Sequence, residues 1–210
     1  MTSATRPRLT SRGAATRERI VTSGAALIYE RGVRGTSLDD IMAASETSKS
    51  QLYHYFADKE ALVVEVIRRQ LELIVAGQEA ELRGIRSWAG LRRWRNHLVA
   101  GVGASGGVGG CPLGSLVAEL ADRSEPARQS LVTCFAEWEG YLAEGFAHMR
   151  ADGLLARRAD PAELALTVMT AVQGGLLLSQ AARSSQPLEL ALDMAIAHVQ
   201  RYRPAKRGPA

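Results

Sequence analysis

Apolar residues recur along this chain every three or four positions, and almost nowhere do apolar and polar residues alternate over the length of a strand. The first spacing lines one face of an α-helix, whereas a half-buried strand needs a period of two. β-branched residues are also few beside Ala and Leu, which weakens any case for a sheet. The chain is therefore expected to be all-α. Its 210 residues suit one medium domain, or a small domain joined to a larger one.

Local signals divide the helices. Over Thr16–Arg31, Ile20, Gly24, Leu27 and Ile28 share a face, and Gly32 closes the segment. A short helix follows Thr36 or Ser37, with Asp39 and Asp40 as capping-box acids and Leu38, Ile41 and Met42 turned inward. After the turn Ser45-Glu46-Thr47, a third helix runs from Ser48 to near Phe56, with Gln51 placed as its capping partner. Asp58 caps a long helix expected over Lys59–Arg83. Further helices are expected over Trp88–Val102, Pro112–Asp122, Glu125–Ala151, Pro161–Arg183 and Leu188–Tyr202. The glycine-rich run 101–110 should break regular structure, and Cys111 is then an N-cap.

Charge is unevenly placed. The chain carries 26 basic and 22 acidic residues, a net +4. Residues 1–20 hold five arginines against Glu18, and residues 201–210 hold four basic residues and no acid. The basic arm over 1–14 suggests a polyanion partner, whereas 204–210 reads as a solubilising tail. Two cysteines cannot build a disulfide framework, so a reducing cytoplasm is the expected setting. The N-terminus lacks the apolar core of a signal peptide, no uninterrupted apolar run reaches a bilayer span, and no membrane partner is expected.

The third helix carries the chemistry. Leu52, Tyr55 and Phe56 share one face, Ser50 and His54 point the opposite way, and Gln51 and Tyr53 flank that free face. Two short helices around a tight turn, packed on a longer first helix, make a helix-turn-helix. Gln can pair with adenine and Ser with either kind of base edge. Lys49, Lys59, the Tyr53 hydroxyl and the His54 ring suit phosphate, as do the amides at the start of the helix from Lys59.

The run Thr36-Ser-Leu-Asp-Asp-Ile41, followed by Ser48-Lys-Ser-Gln-Leu-Tyr-His-Tyr-Phe-Ala-Asp-Lys-Glu-Ala-Leu62, closely resembles the N-terminal domain of the TetR family of transcriptional regulators. The resemblance implies a homodimer reading a palindromic operator in double-stranded DNA. By position it places Lys49, Ser50, Gln51 and His54 at or beside base edges and gives Tyr53 and Lys59 to phosphates. Thr36 and Ser37 would anchor the supporting helix to the DNA backbone, and Ser48, which opens the recognition helix, would also contact DNA. One departure stands out, because members usually carry a small residue, often Gly, where this chain has Glu46. A turn tolerating Glu is expected not to need a left-handed backbone. The Glu46 carboxylate is expected to point away from DNA, near the N-terminus of the recognition helix.

Gly110-Cys-Pro-Leu-Gly-Ser115 and Gln173-Gly-Gly-Leu-Leu177 look like one branch of the family, which includes regulators of drug-efflux genes. That likeness implies a helical core around a pocket for a small effector, with the last two helices pairing across the dimer. The helix Pro161–Arg183 is apolar over much of its circumference, with Leu164, Leu166, Val168, Met169, Val172, Leu176, Leu177 and Leu178. It must be buried on more than one side, and Gly174 and Gly175 permit close approach there. The last helix presents Leu188, Leu192, Ala195, Ile196 and Val199 as a stripe for the same four-helix interface. Pocket candidates are Trp94, His97, Cys111, Trp138, Tyr141, Met169 and Gln173, and a shortage of internal charge favours a neutral or hydrophobic ligand. An N-cap thiol at Cys111 would sit in the helix's positive end field, which favours thiolate and offers an electrophile- or oxidant-sensing alternative. Cys134 reads as core.

Other chemistries find little support. Gly101-Val-Gly-Ala-Ser-Gly106 matches G-x-G-x-x-G, but a helix rather than a strand precedes it. Four scattered histidines and no Cys cluster make no metal site, and Ser105 lacks a nucleophile-elbow setting. An enzyme is not expected and no cofactor is implied. A ligand-binding protein acting through protein contacts is the remaining rival. The expected organisation is an arm over 1–14, a helix-turn-helix domain over 15–60, an effector-binding and dimerisation domain over 61–203, and the tail. The expected function is a repressor released from its operator by a small hydrophobic effector.

Overall fold

The computed structural model describes residues 10–204, and every regular element among them is a helix. The helices are α1 (Ser11–Arg31), α2 (Leu38–Ser45), α3 (Lys49–Tyr55), α4 (Lys59–Ala76), α5 (Glu79–Arg83), α6 (Trp88–Ala104), α7 (Pro112–Leu120), α8 (Glu125–Ala151), α9 (Pro161–Ala182) and α10 (Gln186–Gln200). The readings of 1–9 and 205–210 lie outside the described residues.

Capping explains most boundaries. Ser37 with Asp40, and Ser48 with Gln51, close reciprocal capping boxes on α2 and α3. Asp58, Ser87, Ser124 and Asp160 each accept an early amide of the helix they open. Helix α1 begins earlier than expected, because the Thr10 hydroxyl accepts the Gly13 amide, so residues 11–14 are helix rather than arm. Helix α6 likewise runs through Gly101 and Gly103, and the positive-φ breaks fall later, at Gly106, Gly107, Gly109 and Gly110. Helix α10 starts two residues sooner, with Pro187 inside its first turn.

The expected continuous helix over 59–83 is interrupted at Gly77. Gln78 turns inward there, and its amide oxygen accepts the buried Trp94 indole N–H at 2.7 Å. A buried N–H without an acceptor costs about 1–3 kcal/mol, and the break supplies that acceptor.

Helices α1 to α4 share one small core around Ile20, Ile28, Ile41, Leu52, Leu62 and Val66. Ile41 is fully buried, whereas Leu38 and Met42 are only partly so. Gln70 on α4 donates to the Ala25 carbonyl of α1 at 2.8 Å. The α2–α3 turn contradicts the expectation for Glu46, which is left-handed at φ 52°, ψ 45° and forms the C-cap of α2. The N-terminus of α3 is capped by Ser48 and Gln51, not by Glu46. A side chain with a Cβ costs about 1–2 kcal/mol in that region, less glycine's extra chain entropy when unfolded. Glu46→Gly is therefore expected to stabilise the protein by about 0.5–1 kcal/mol, raising Tm by about 1–3 °C. A thermal melt below wild type would show that Glu46 makes a compensating interaction.

The second unit is built on α8, flanked by α4, α7 and α9, with α10 against α9. Gly175 lets α10 approach closely, since a Cβ there would lie 2.8 Å from the Leu188 Cα. Gly174 instead faces outward. The α10 stripe of Leu188, Leu192, Ala195, Ile196 and Val199, expected at a dimer interface, is buried within the chain against α9 and its neighbours. Among the described residues, α9 is long and apolar enough by length and composition to cross a membrane, although polar residues interrupt it. One face, with Leu164, Val168, Met169 and Val172, is buried in the core. The opposite face leaves Leu166, Leu177 and Leu178 more than half exposed, as are Leu190 and Met194 on α10.

Candidate nucleic-acid interface and effector cavity

Helix α3 is held by Leu52, Phe56 at its C-cap, and half-buried Tyr55. Its other side exposes Lys49, Ser50, Gln51, Tyr53 and His54 together. The His54 ring stands edge-on to Tyr55, with centroids 4.9 Å apart. Among the described residues, Lys49 has no ion-pair partner. Other cations of this unit are already engaged: Arg17 pairs with Glu65 at 2.7 Å and lies over the Phe56 ring, and Arg19 donates to the Ser45 carbonyl.

Five residues assigned to DNA from the sequence have internal work. Thr36 is fully buried, and its hydroxyl donates to the Gly32 carbonyl at 2.9 Å, so it is a core tether rather than a phosphate anchor. Ser37 is exposed, but its hydroxyl is shared with Asp40. That bond chiefly holds the Asp40 carboxyl below the usual carboxylate range. Lys59 donates its ammonium to the Val33 carbonyl at 2.6 Å. Gln51 is exposed, yet its amide oxygen accepts the Ser48 amide at 2.8 Å, and the Ser48 hydroxyl accepts the Gln51 amide at 3.2 Å. Pairing both amide atoms with adenine would require releasing that cap, while the Gln51 NH2 group is not used by the capping box.

A cavity of about 870 Å³ opens between α7, α8 and α9. Of the seven effector candidates, Cys111, Met169 and Gln173 line it. The other four do not. Trp94 is fully buried and bound to Gln78. His97 lies on the surface 3.5 Å from Glu81. Trp138 is in the core, its indole N–H without a partner among the described residues. Tyr141 borders a separate cleft of about 310 Å³ with Ile85, Arg86 and His148. Sequence reasoning missed Phe135, Glu139, Leu166, Thr170 and Leu177. The i, i+4 spacing of Phe135 with Glu139, and of Leu166 with Thr170, was available as a signal, but equally apolar residues occupy every face of α9.

Cys111 does cap α7, its sulfur accepting the Gly114 amide at 3.4 Å. The expectation of a favoured thiolate nevertheless fails. Burial pushes the Cys111 thiol up, outweighing the hydrogen bonds from Gly114, Gln173 and Leu113 that stabilise the anion. In a Cys134→Ser background, Cys111 is expected to react with a thiol-labelling reagent more slowly than free cysteine at neutral pH. Faster labelling would restore the sensor alternative.

Helix α7 also reaches the helix-turn-helix unit. Glu119 accepts the Val33 amide of the α1–α2 loop at 3.0 and 3.3 Å, one contact to each carboxylate oxygen. Gly32 has φ 74°, and a Cβ there would meet the same carboxylate. Ser124, just beyond α7, donates to Glu60 on α4 at 2.5 Å.

Comparison with known proteins follows the two units. Residues 20–66 match the family described as bacterial regulatory proteins, tetR family. Residues 88–194 match the C-terminal domain of LmrA/YxaF-like transcriptional regulators. An uncharacterised HTH-type transcriptional regulator in the lacX 3′ region of Lactococcus lactis subsp. lactis is 31% identical over 184 residues, covering 85% of this chain and 90% of that protein. The HTH-type transcriptional repressor DhaR of Mycobacterium sp. (strain GP1) is 27% identical, covering 82% and 86%. Among solved structures, a regulatory protein TetR from Rhodobacter sphaeroides superposes with TM-score 0.73 at 22% identity, covering 87% and 98%, a likeness of fold.

Proposed function

The chain belongs to the TetR family of bacterial transcriptional regulators, and we propose that it is a repressor released from a palindromic operator by a small effector. Regulators of this family are DNA-binding proteins rather than enzymes; they act as dimers and respond to small molecules. The observation that carries the reading here is the pairing of an exposed polar face on α3 with a large apolar cavity in the second unit. Repression is favoured over activation by relatives such as DhaR, a repressor. As a DNA-binding regulator, it is placed with the DNA in the cytoplasm.

Two copies would set their α3 helices one DNA turn apart, about 34–36 Å. Lys49, Ser50 and His54 face the groove, with the Gln51 NH2 group beside them, and Tyr53 takes a phosphate. An effector that binds better to a differently spaced conformer draws the dimer off the operator. Helix α4, starting at the helix-turn-helix and ending beside α8, is one route between the sites, and α7 through Glu119 is a second.

A gel shift on DNA flanking its own gene tests the reading. Wild type is expected to bind with steep salt dependence, and Lys49→Ala to lower the slope by about one counterion. Tyr53→Phe should weaken binding to every sequence alike by roughly tenfold, the value of a hydrogen bond to a charged group. Salt-independent binding would favour action through protein contacts instead, and sequence-dependent losses in Tyr53→Phe would move that hydroxyl from phosphate to base.

A further inference from the structure

The cavity wall contains one carboxylate. Glu139, on α8, borders the same space as Phe135, Val117, Leu166, Met169 and Leu177. The remaining polar groups of the wall are neutral amides, hydroxyls and the Cys111 thiol. Glu139 makes no hydrogen bond or ion pair with any described residue, unlike other acids of its own helix. Glu125 is held by Arg128, Glu137 lies 3.9 Å from Arg68, and Glu144 lies 3.5 Å from His148. Arg128, the basic residue of the neighbouring cleft, is committed to Glu125 through two bonds of 2.6 Å.

A carboxylate facing apolar walls has lost part of its hydration and gained nothing in return. Desolvation accordingly pushes the Glu139 carboxyl up. A ligand that carries a positive charge beside it would restore the lost stabilisation, and in a space poor in other charges the attraction is little diluted. The shortage of charge in this region, which by itself suggests a neutral ligand, thus makes the single carboxylate decisive.

We propose that the cavity takes a hydrophobic cation, its apolar body against Phe135, Leu166, Met169 and Leu177 and its charged centre against Glu139. The proposal rests on reading the cavity as the effector site. A volume of about 870 Å³ accommodates a compact multi-ring molecule. Gln173 and Gln180 supply neutral hydrogen bonds from α9 for any further polar group.

Tetraphenylphosphonium and tetraphenylborate have nearly the same shape and opposite charge, which makes them suitable probes. Each is titrated into the purified full-length protein by calorimetry, with wild type, Glu139→Gln and Glu139→Asp. Wild type is expected to bind the phosphonium at least about tenfold tighter than the borate, against the chain's own net charge of +4. Glu139→Gln should erase that preference and Glu139→Asp should keep it. Equal binding of the two probes by wild type, or an undiminished preference in Glu139→Gln, overturns the proposal. Borate binding alone overturns the cation while leaving the cavity as an effector site. Binding of neither probe overturns both readings. If Glu139→Gln fails to fold, the wild-type comparison decides.

Discussion

Leu178→Glu combined with Met194→Glu is expected to give a folded monomer that has lost operator binding by at least about a hundredfold, since linked half-site contacts multiply affinity by about 10²–10⁴. Both side chains are more than half exposed, so their replacement leaves the chain's own core intact. Neither lines the effector cavity. With Leu190 they are three large apolar side chains exposed on α9 and α10, beside Leu166 and Leu177, which are exposed and also line the cavity. A patch of that kind marks an association surface, and burying four carboxylates across a twofold interface costs several kcal/mol per unpaired charge. Sedimentation at micromolar concentration checks both halves: wild type should run as a dimer and the variant as a monomer with unchanged circular dichroism. A monomeric wild type, or a variant that stays dimeric, would remove the α9–α10 interface.

Glu119→Ala is expected to disconnect the two sites while leaving each able to bind. The first turns of α7 line the cavity through Gly114, Ser115, Val117 and Ala118, and Glu119 on the same helix holds the Val33 amide. Lys59 holds the Val33 carbonyl from the other side, so one peptide neighbourhood joins α7, α4 and the loop before α2. A ligand that moves α7 therefore moves the support of α2 and α3. Allosteric coupling, commonly about 5–150-fold between two sites, should fall several-fold between effector and DNA in the variant. Tetraphenylphosphonium affinity is expected to change less than about twofold, since Glu119 is not in the wall. The check is operator affinity with and without the probe, together with amide exchange over residues 33–45, which should quicken in Glu119→Ala. Undiminished coupling would assign the relay to α4 alone.

Much of this architecture is legible from short stretches of sequence, because helix ends are set by atoms a few residues apart. Glu125–Ala151 is read with its bounds, since Ser124 supplies a cap and Gly153 a left-handed exit. Cys111-Pro112 opens α7 and Asp160-Pro161 opens α9 for the same local reasons. The polar face of α3 also follows from 3.6-residue geometry, as does the capping role of Gln51. The misses share a different origin. The break at Gly77 exists because Trp94, sixteen residues beyond Gln78, needs an acceptor. Lys59 and Thr36 are drawn inward by carbonyls of the α1–α2 connection. Glu46 differs: its left-handed backbone is a local cap in which its amide and that of Thr47 return to carbonyls of the last turn of α2.

The sequence alone determines the helical class, most helix boundaries and the family, because these depend on periodicity, capping and a contiguous motif. The tertiary structure decides which apolar face of α9 and α10 is internal, which side chains form the cavity, and where its single carboxylate stands. A helix apolar on nearly every side has no preferred inside until its neighbours are in place.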